Sequence, residues 1–259
     1  MSATAAKPPV RPRARGPVQL TLEVAFGLVF IALFAWAVGL MIEIAGSYTI
    51  WKHEGAGHAR RIVRQDLGYI AAAPRSLLVD DTAAFAGRLL GWVERPYARL
   101  GVLDWYARAH GHAGTPRVSA PTQEPAASAN RLRQGMGRAR QGMSRTLSQW
   151  AVMSMYVAQD LALRLSVALF ALPAFLLACL VGTVDGLVRR DLRRWRGGRE
   201  SSFVYHHAKR YTGWALTGGF GLYLTWPFGG FNPAYMVLVF TVLVAATLST
   251  TVAAFKKYV

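Results

Sequence analysis

Long apolar runs without a single charge constrain this chain more than any other feature of its sequence. Residues 24–42 (VAFGLVFIALFAWAVGLMI) are nineteen uncharged positions in a row. As a helix rising about 1.5 Å per residue they reach roughly 28 Å, close to the hydrocarbon thickness of a bilayer. Residues 165–184 (LSVALFALPAFLLACLVGTV) are twenty more. Pro173 falls at the middle of that run and is expected to kink it rather than end it, because membrane helices re-satisfy the freed backbone through their neighbours. Residues 233–255 make a third run of twenty-three, long enough to cross with tilt.

A fourth segment, 211–226 (YTGWALTGGFGLYLTW), has only sixteen residues and four glycines. Small residues permit close helix approach in lipid, and Tyr211, Tyr223 and Trp226 stand near its ends, where interfacial aromatics belong. Spanning is the expectation; a re-entrant or interfacial helix is the alternative. The following PFGGFN, 227–232, reads as a tight turn that pairs the last two helices. The basic stretch before residue 24 resembles the start of a signal peptide, but the apolar run exceeds the usual 7 to 15 residues of one, which favours an uncleaved anchor. The fold class expected is all-α: a polytopic membrane protein with four transmembrane helices.

Charge sets the expected topology. Lys7, Arg11, Arg13 and Arg15 precede the first run with no acid among them. Residues 189–210 carry eight basic and two acidic side chains, and Lys256 and Lys257 follow the last run. The positive-inside rule places all three on the cytoplasmic face, and four crossings bring both ends there. Residues 47–160 hold fifteen basic and eight acidic side chains, yet a long translocated loop escapes that rule. The expected segments are a basic tail 1–17, membrane helices 18–46, 161–185, 211–226 and 233–255, an extracytoplasmic region 47–160, a basic cytoplasmic loop 186–210 and a tail 256–259.

Within 47–160 the sequence predicts a helical hairpin between membrane helices one and two. Residues 80–109 show helical periodicity through Phe85, Leu89 and Trp92, continuing beyond Pro96 to Leu100 and Leu103, with Asp80 or Asp81 as cap. Residues 111–130 are small, polar and proline-containing and read as a flexible tip. From Met143 the periodicity returns through Leu147, Trp150, Val157 and Leu161, with no breaker before Pro173. The apolar side of this hairpin has two readings, packing on itself as a small cap or binding a partner.

No catalytic constellation emerges, so no enzyme activity, cofactor or metal is expected. None of His53, His58, His110, His112, His206 and His207 forms an HExxH pattern, and Cys179 lies inside an apolar run. The glycines near 135–142 and 218–221 lack the Lys-Ser or Lys-Thr of a phosphate loop. Glu23, Glu43 and Asp185 stand at helix ends, where water or a local partner satisfies them, so a proton-coupled transporter has little beyond helix count in its favour. Arg189, Arg190, Arg193, Arg194, Arg196 and Arg199 form the most distinctive chemical feature. Basic residues beside a membrane helix attract anionic lipid by about 1 kcal/mol each; contact with DNA is a less economical reading.

The segment VDGLVRRDLRRWRGGRESSFVYHHAKR, 184–210, resembles the signature of membrane proteins of integrating conjugative elements that carry a DUF4400-type domain. The likeness extends to the amino-terminal anchor, SYTIWKHEG, VERPYARLGVLDWY and the final hairpin. It implies a bacterial inner-membrane protein that works with a type IV secretion apparatus and is encoded near the coupling ATPase. The family brings no catalytic residues to carry over. Asp185, Gly186, Arg189, Arg190, Asp191, Arg194, Gly198, Arg199, Glu200, His206, Lys209 and Arg210 match the segment, and with Arg193 and Arg196 they are the expected contacts to a partner or to inner-membrane lipid. An accessory scaffold of conjugation is therefore expected; a small transporter or channel subunit, or an entry-exclusion or immunity protein, are the alternatives.

Overall fold

A computed structural model of the chain describes residues 16–52, 54–72, 76–111, 127–196, 207, 210–211, 214, 218–226 and 232–254. Among the described residues all regular structure is helical. The helices are α1 (Pro17–Thr49), α2 (Ala56–Ala72), α3 (Thr82–Arg99), α4 (Val102–Gly111), α5 (Ala127–Phe170), α6 (Leu172–Trp195), α7 (Phe220–Thr225) and α8 (Pro233–Ala253).

Four helices are long and apolar enough to cross a membrane, over Thr21–Thr49, Gly135–Phe170, Leu172–Trp195 and Pro233–Ala253. Phe26, Phe30 and Phe34 on α1, Leu176, Leu177 and Leu180 on α6, and Leu238, Val239 and Val242 on α8 all face outward. Such a surface is unfavourable in water and compatible with hydrocarbon.

The number agrees with the sequence, but the helices differ. Residues 161–185 are divided: α5 ends at Phe170 and α6 begins at Leu172, with Pro173 in its first turn. Proline is tolerated there because first-turn N–H groups have no partner within the helix, so Pro173 starts a helix rather than kinking one. Of 211–226, only Tyr211, Trp214 and 218–226 are described, and they contain the short α7. The turn at 227–231, the tail 256–259 and residues 1–15 lie outside the described residues.

Helix α5 is the central column. One apolar cluster joins Leu40 and Ile44 of α1, Ala56 of α2 and Val102 of α4 to Val152 and Met153 of α5. Towards the other end of α5, Val63 and Ile70 of α2 and Ala86 of α3 pack with Leu163, Val167 and Phe170. A third cluster brings Ile31, Ala32 and Ala35 of α1 to Leu161, Leu165 and Ala168. Helix α1 therefore runs antiparallel to α5, and α2 runs parallel to it.

The expected two-helix hairpin is instead three helices, α2, α3 and α4, laid along α5. The helical reading of 80–109 holds up to its interruption at Gly101, whose φ of 62° ends α3 and starts α4. A residue with a side chain is strained in that conformation. Asp81 caps α3, its carboxylate accepting from the Ala84 N–H at 2.8 Å. Helix α5 starts at Ala127, inside the stretch read as a flexible tip; residues 112–126 lie outside the described residues.

Helices α6 and α8 pack as a close pair. A Cβ added at Gly182 would stand 2.5 Å from the Ala245 carbonyl oxygen, and one at Gly186 would stand 2.6 Å from that of Ser249. Small residues allow this approach, which favours association in lipid. Partners advance together from Gly182–Ala245 to Gly186–Ser249, so the two helices are parallel. The end of α6 at Trp195 and the start of α8 at Pro233 therefore lie at opposite ends of the pair, and α7 falls between them in the chain.

Candidate functional site

The basic end of α6 is where the sequence placed its contact residues, and the structure divides them into two groups. Asp185 and Arg193 bond to α8. The Asp185 carboxylate accepts from the Ser249 hydroxyl at 2.6 Å and pairs with Arg189 at 2.9 Å, while the Arg193 guanidinium donates to the Ala253 carbonyl. These bonds continue the glycine seam and fix the end of α6 against α8. Asp191, Arg194, Trp195 and Arg196 are exposed, and Arg190 is half-buried with an Nε that finds no acceptor. Arg199, Glu200, His206 and Lys209 lie outside the described residues. Arg210 is described; its guanidinium carbon sits 5.1 Å from the centre of the Trp214 ring. The end of α6 thus combines a fixed inner edge with an outward basic edge around an exposed indole.

A second site escaped the sequence reading. Arg164, on the last turns of α5, is buried between two carboxylates: its Nε lies 3.3 Å from Asp66 of α2 and 3.1 Å from Asp160 one turn earlier. Its Nη1 donates to the Tyr223 carbonyl of α7 at 3.0 Å, and the Tyr223 hydroxyl donates to the Arg164 carbonyl at 2.8 Å. One guanidinium therefore ties together three helices. Arginine suits this position because its planar fork satisfies several acceptors at once. Burial pushes the Asp66 carboxyl above its ordinary range, although Arg164 pulls it down.

Glu43 finds the local partner expected of a helix-end acid, but away from water: it is buried, with His58 Nδ1 at 2.9 and 3.1 Å from its two oxygens. The Trp51 ring stacks on His58 with centroids 3.9 Å apart. Gly46 makes this possible, since a Cβ there would stand 1.9 Å from the indole. A cavity of about 30 Å³ lined by Glu43, Tyr156 and Asp160 separates this pair from the arginine cluster, and a space of that size admits one water. Among the described residues no group of three or more His, Cys, Asp or Glu is arranged to hold a metal.

Helices with unburied apolar faces, a glycine seam between two of them and charges paired within the bundle define a multi-pass membrane protein. Residues 50–256 match the family described as IncC plasmid conjugative DNA transfer protein DtrJ-like. The chain belongs to this DtrJ-like family, and its role is in conjugative DNA transfer. No curated protein and no solved structure matches it. The matched span includes the paired α6 and α8, the arginine cluster, Trp51 and His58, and leaves out α1 with Glu43 and Gly46.

Proposed function

We propose that the protein is a non-enzymatic inner-membrane scaffold of conjugative transfer, carried by an integrating mobile element and associated with a type IV secretion or coupling complex. In this reading both termini and the α6 end face the cytoplasm, with α5 and α6 together making one crossing. The observation that carries this reading is the end of α6. Asp185 and Arg193 are engaged with α8 while Arg194, Trp195 and Arg196 point away from it. A side chain spent on internal bonds holds the helix in place; those left outward are available to an acidic surface. Aromatic and arginine side chains are the usual anchors of protein interfaces. The partner is a transfer protein such as the coupling ATPase, with anionic lipid around it.

The test is a pull-down of the tagged full-length chain from donor membranes crosslinked during mating, read by mass spectrometry. Enrichment of the coupling ATPase or secretion channel is expected, with loss of that enrichment in Arg194→Glu/Arg196→Glu. A reproducible absence of every transfer protein would overturn the scaffold.

Transport is a second reading, favoured by one observation: Asp160 and Arg164 lie inside a helix apolar enough to cross a membrane. Charges there are a functional hypothesis by default. Their partners on three helices give them a structural task already, and transport requires in addition a proton- or solute-dependent flux into proteoliposomes that Asp66→Asn abolishes.

A further inference from the structure

A cavity of about 370 Å³ lies where α2, α5, α6 and α8 meet, far from the exposed arginines of α6. Ile70, Leu77, Phe170, Ala174, Pro233 and Leu238 form its apolar walls. Its volume falls within the range of small-molecule sites, which are mostly apolar with a few polar groups. Here each polar side chain is already engaged in a local hydrogen bond. The Ser76 hydroxyl accepts from the Leu78 and Val79 N–H groups, Asn232 accepts from Ala234, and the Thr241 hydroxyl donates to Val237. The Tyr69 hydroxyl accepts from Gln65, and the Thr82 hydroxyl donates to the Ile70 carbonyl. Among the described residues no charged side chain lines the space. Most of what the walls offer a ligand is hydrocarbon surface.

Position identifies the occupant. The cavity borders the first turns of α8, whose outer residues Leu238, Val239 and Val242 are exposed along a helix able to span the bilayer. Across from them stands the turn between α2 and α3, where Leu77 is 90% exposed while lining the cavity. Leu78 beside it is exposed as well. A leucine this exposed in water forgoes roughly 1.5–3 kcal/mol of burial. Next to the lipid-facing side of α8 it recovers that energy by entering the bilayer. We infer that the turn at 76–79 dips into the membrane beside α8 and that the cavity behind it holds the acyl tail of a bilayer lipid. The tail covers Leu77, fills the gap between α6 and α8 at their α5 end, and makes a lipid part of the joint between α2 and the membrane pair.

The test places the full-length protein in nanodiscs whose phosphatidylethanolamine carries a photoactivatable group on one tail, followed by peptide mapping. Adducts are expected on the peptide containing Leu77 as well as on the outer face of α8. Ala174→Phe, which fills the cavity, is expected to abolish the Leu77 adducts and leave those at Val239 and Val242. Adducts on α8 alone would overturn the inference, as would Leu77 adducts indifferent to Ala174→Phe. A separate readout uses Leu77→Cys in a Cys179→Ser background. Its protection from a membrane-impermeant maleimide, with Gly57→Cys reacting freely, is expected. Labelling of both at equal rates would mean that water, or a protein partner lost on purification, meets this turn.

Discussion

Arg164 and Tyr223 hold each other's backbones: the guanidinium of one donates to the carbonyl of the other, and the phenol returns a bond to the first carbonyl. The two residues are 59 positions apart, so this reciprocal clasp joins the end of α5 to α7 and also fixes the guanidinium between Asp66 and Asp160. Breaking it has graded consequences. Tyr223→Phe removes one buried bond and should cost about 1 kcal/mol. Arg164→Met leaves two carboxylates buried without their cation and should cost about 3–5 kcal/mol. Thermal unfolding of detergent-purified protein measures both; equal effects would show that the guanidinium contributes no more than the phenol.

Asp66 sets a pH dependence whose sign follows from burial. Its carboxyl is raised above the ordinary value of 3.8. The folded state therefore holds this proton more tightly than the unfolded chain does. That contribution is complete below the unfolded pKa and is lost as pH rises through the raised folded one. Stability should fall across this window, and Asp66→Asn, which cannot ionise, should flatten the slope. Unfolding temperatures across a pH series in one detergent compare the two proteins. An unchanged slope in Asp66→Asn would assign the dependence to another group.

The seam between α6 and α8 tolerates no side chain at two positions. Because the atoms that a Cβ at Gly182 or Gly186 would meet include backbone carbonyl oxygens, the helices must part to admit one. Overpacking of this kind costs about 1–3 kcal/mol. Gly182→Val should separate the pair and release Ser249 from Asp185. Disulfide crosslinking between cysteines placed on facing positions of the two helices reports this directly: efficient in the parent and lost in Gly182→Val.

The sequence made the membrane segments at 24–42 and 233–255 legible because an uncharged run of that length has few other uses, and the cap at Asp81 because capping is local. It hid the boundary at Ala171: a run of apolar residues looks the same whether one helix or two carry it, and Pro173 fits either a kink or a first turn. Gly101 was hidden by Leu100 and Leu103, which continue the apolar side across the break. The arginine cluster was missed for a different reason. Arg164 stands one residue before the run 165–184, at a place where a charge usually marks a helix end. Its partners Asp66 and Tyr223 are distant in sequence, and no spacing rule connects them. One signal was present: Asp160 and Arg164, one turn apart, interrupt the apolar periodicity of α5, and an opposite pair inside such a helix invites a search for a third partner.

The most direct test of the scaffold is conjugation itself. Donor cells lacking the gene are complemented with the parent chain, with Arg194→Glu/Arg196→Glu, or with Arg194→Lys/Arg196→Lys, and transfer frequency is measured beside the amount of protein in the membrane fraction. Loss of transfer with the glutamates, retention with the lysines and equal membrane levels in all three are expected. Parental transfer by the glutamate variant at equal membrane level would contradict a role for the exposed basic edge of α6.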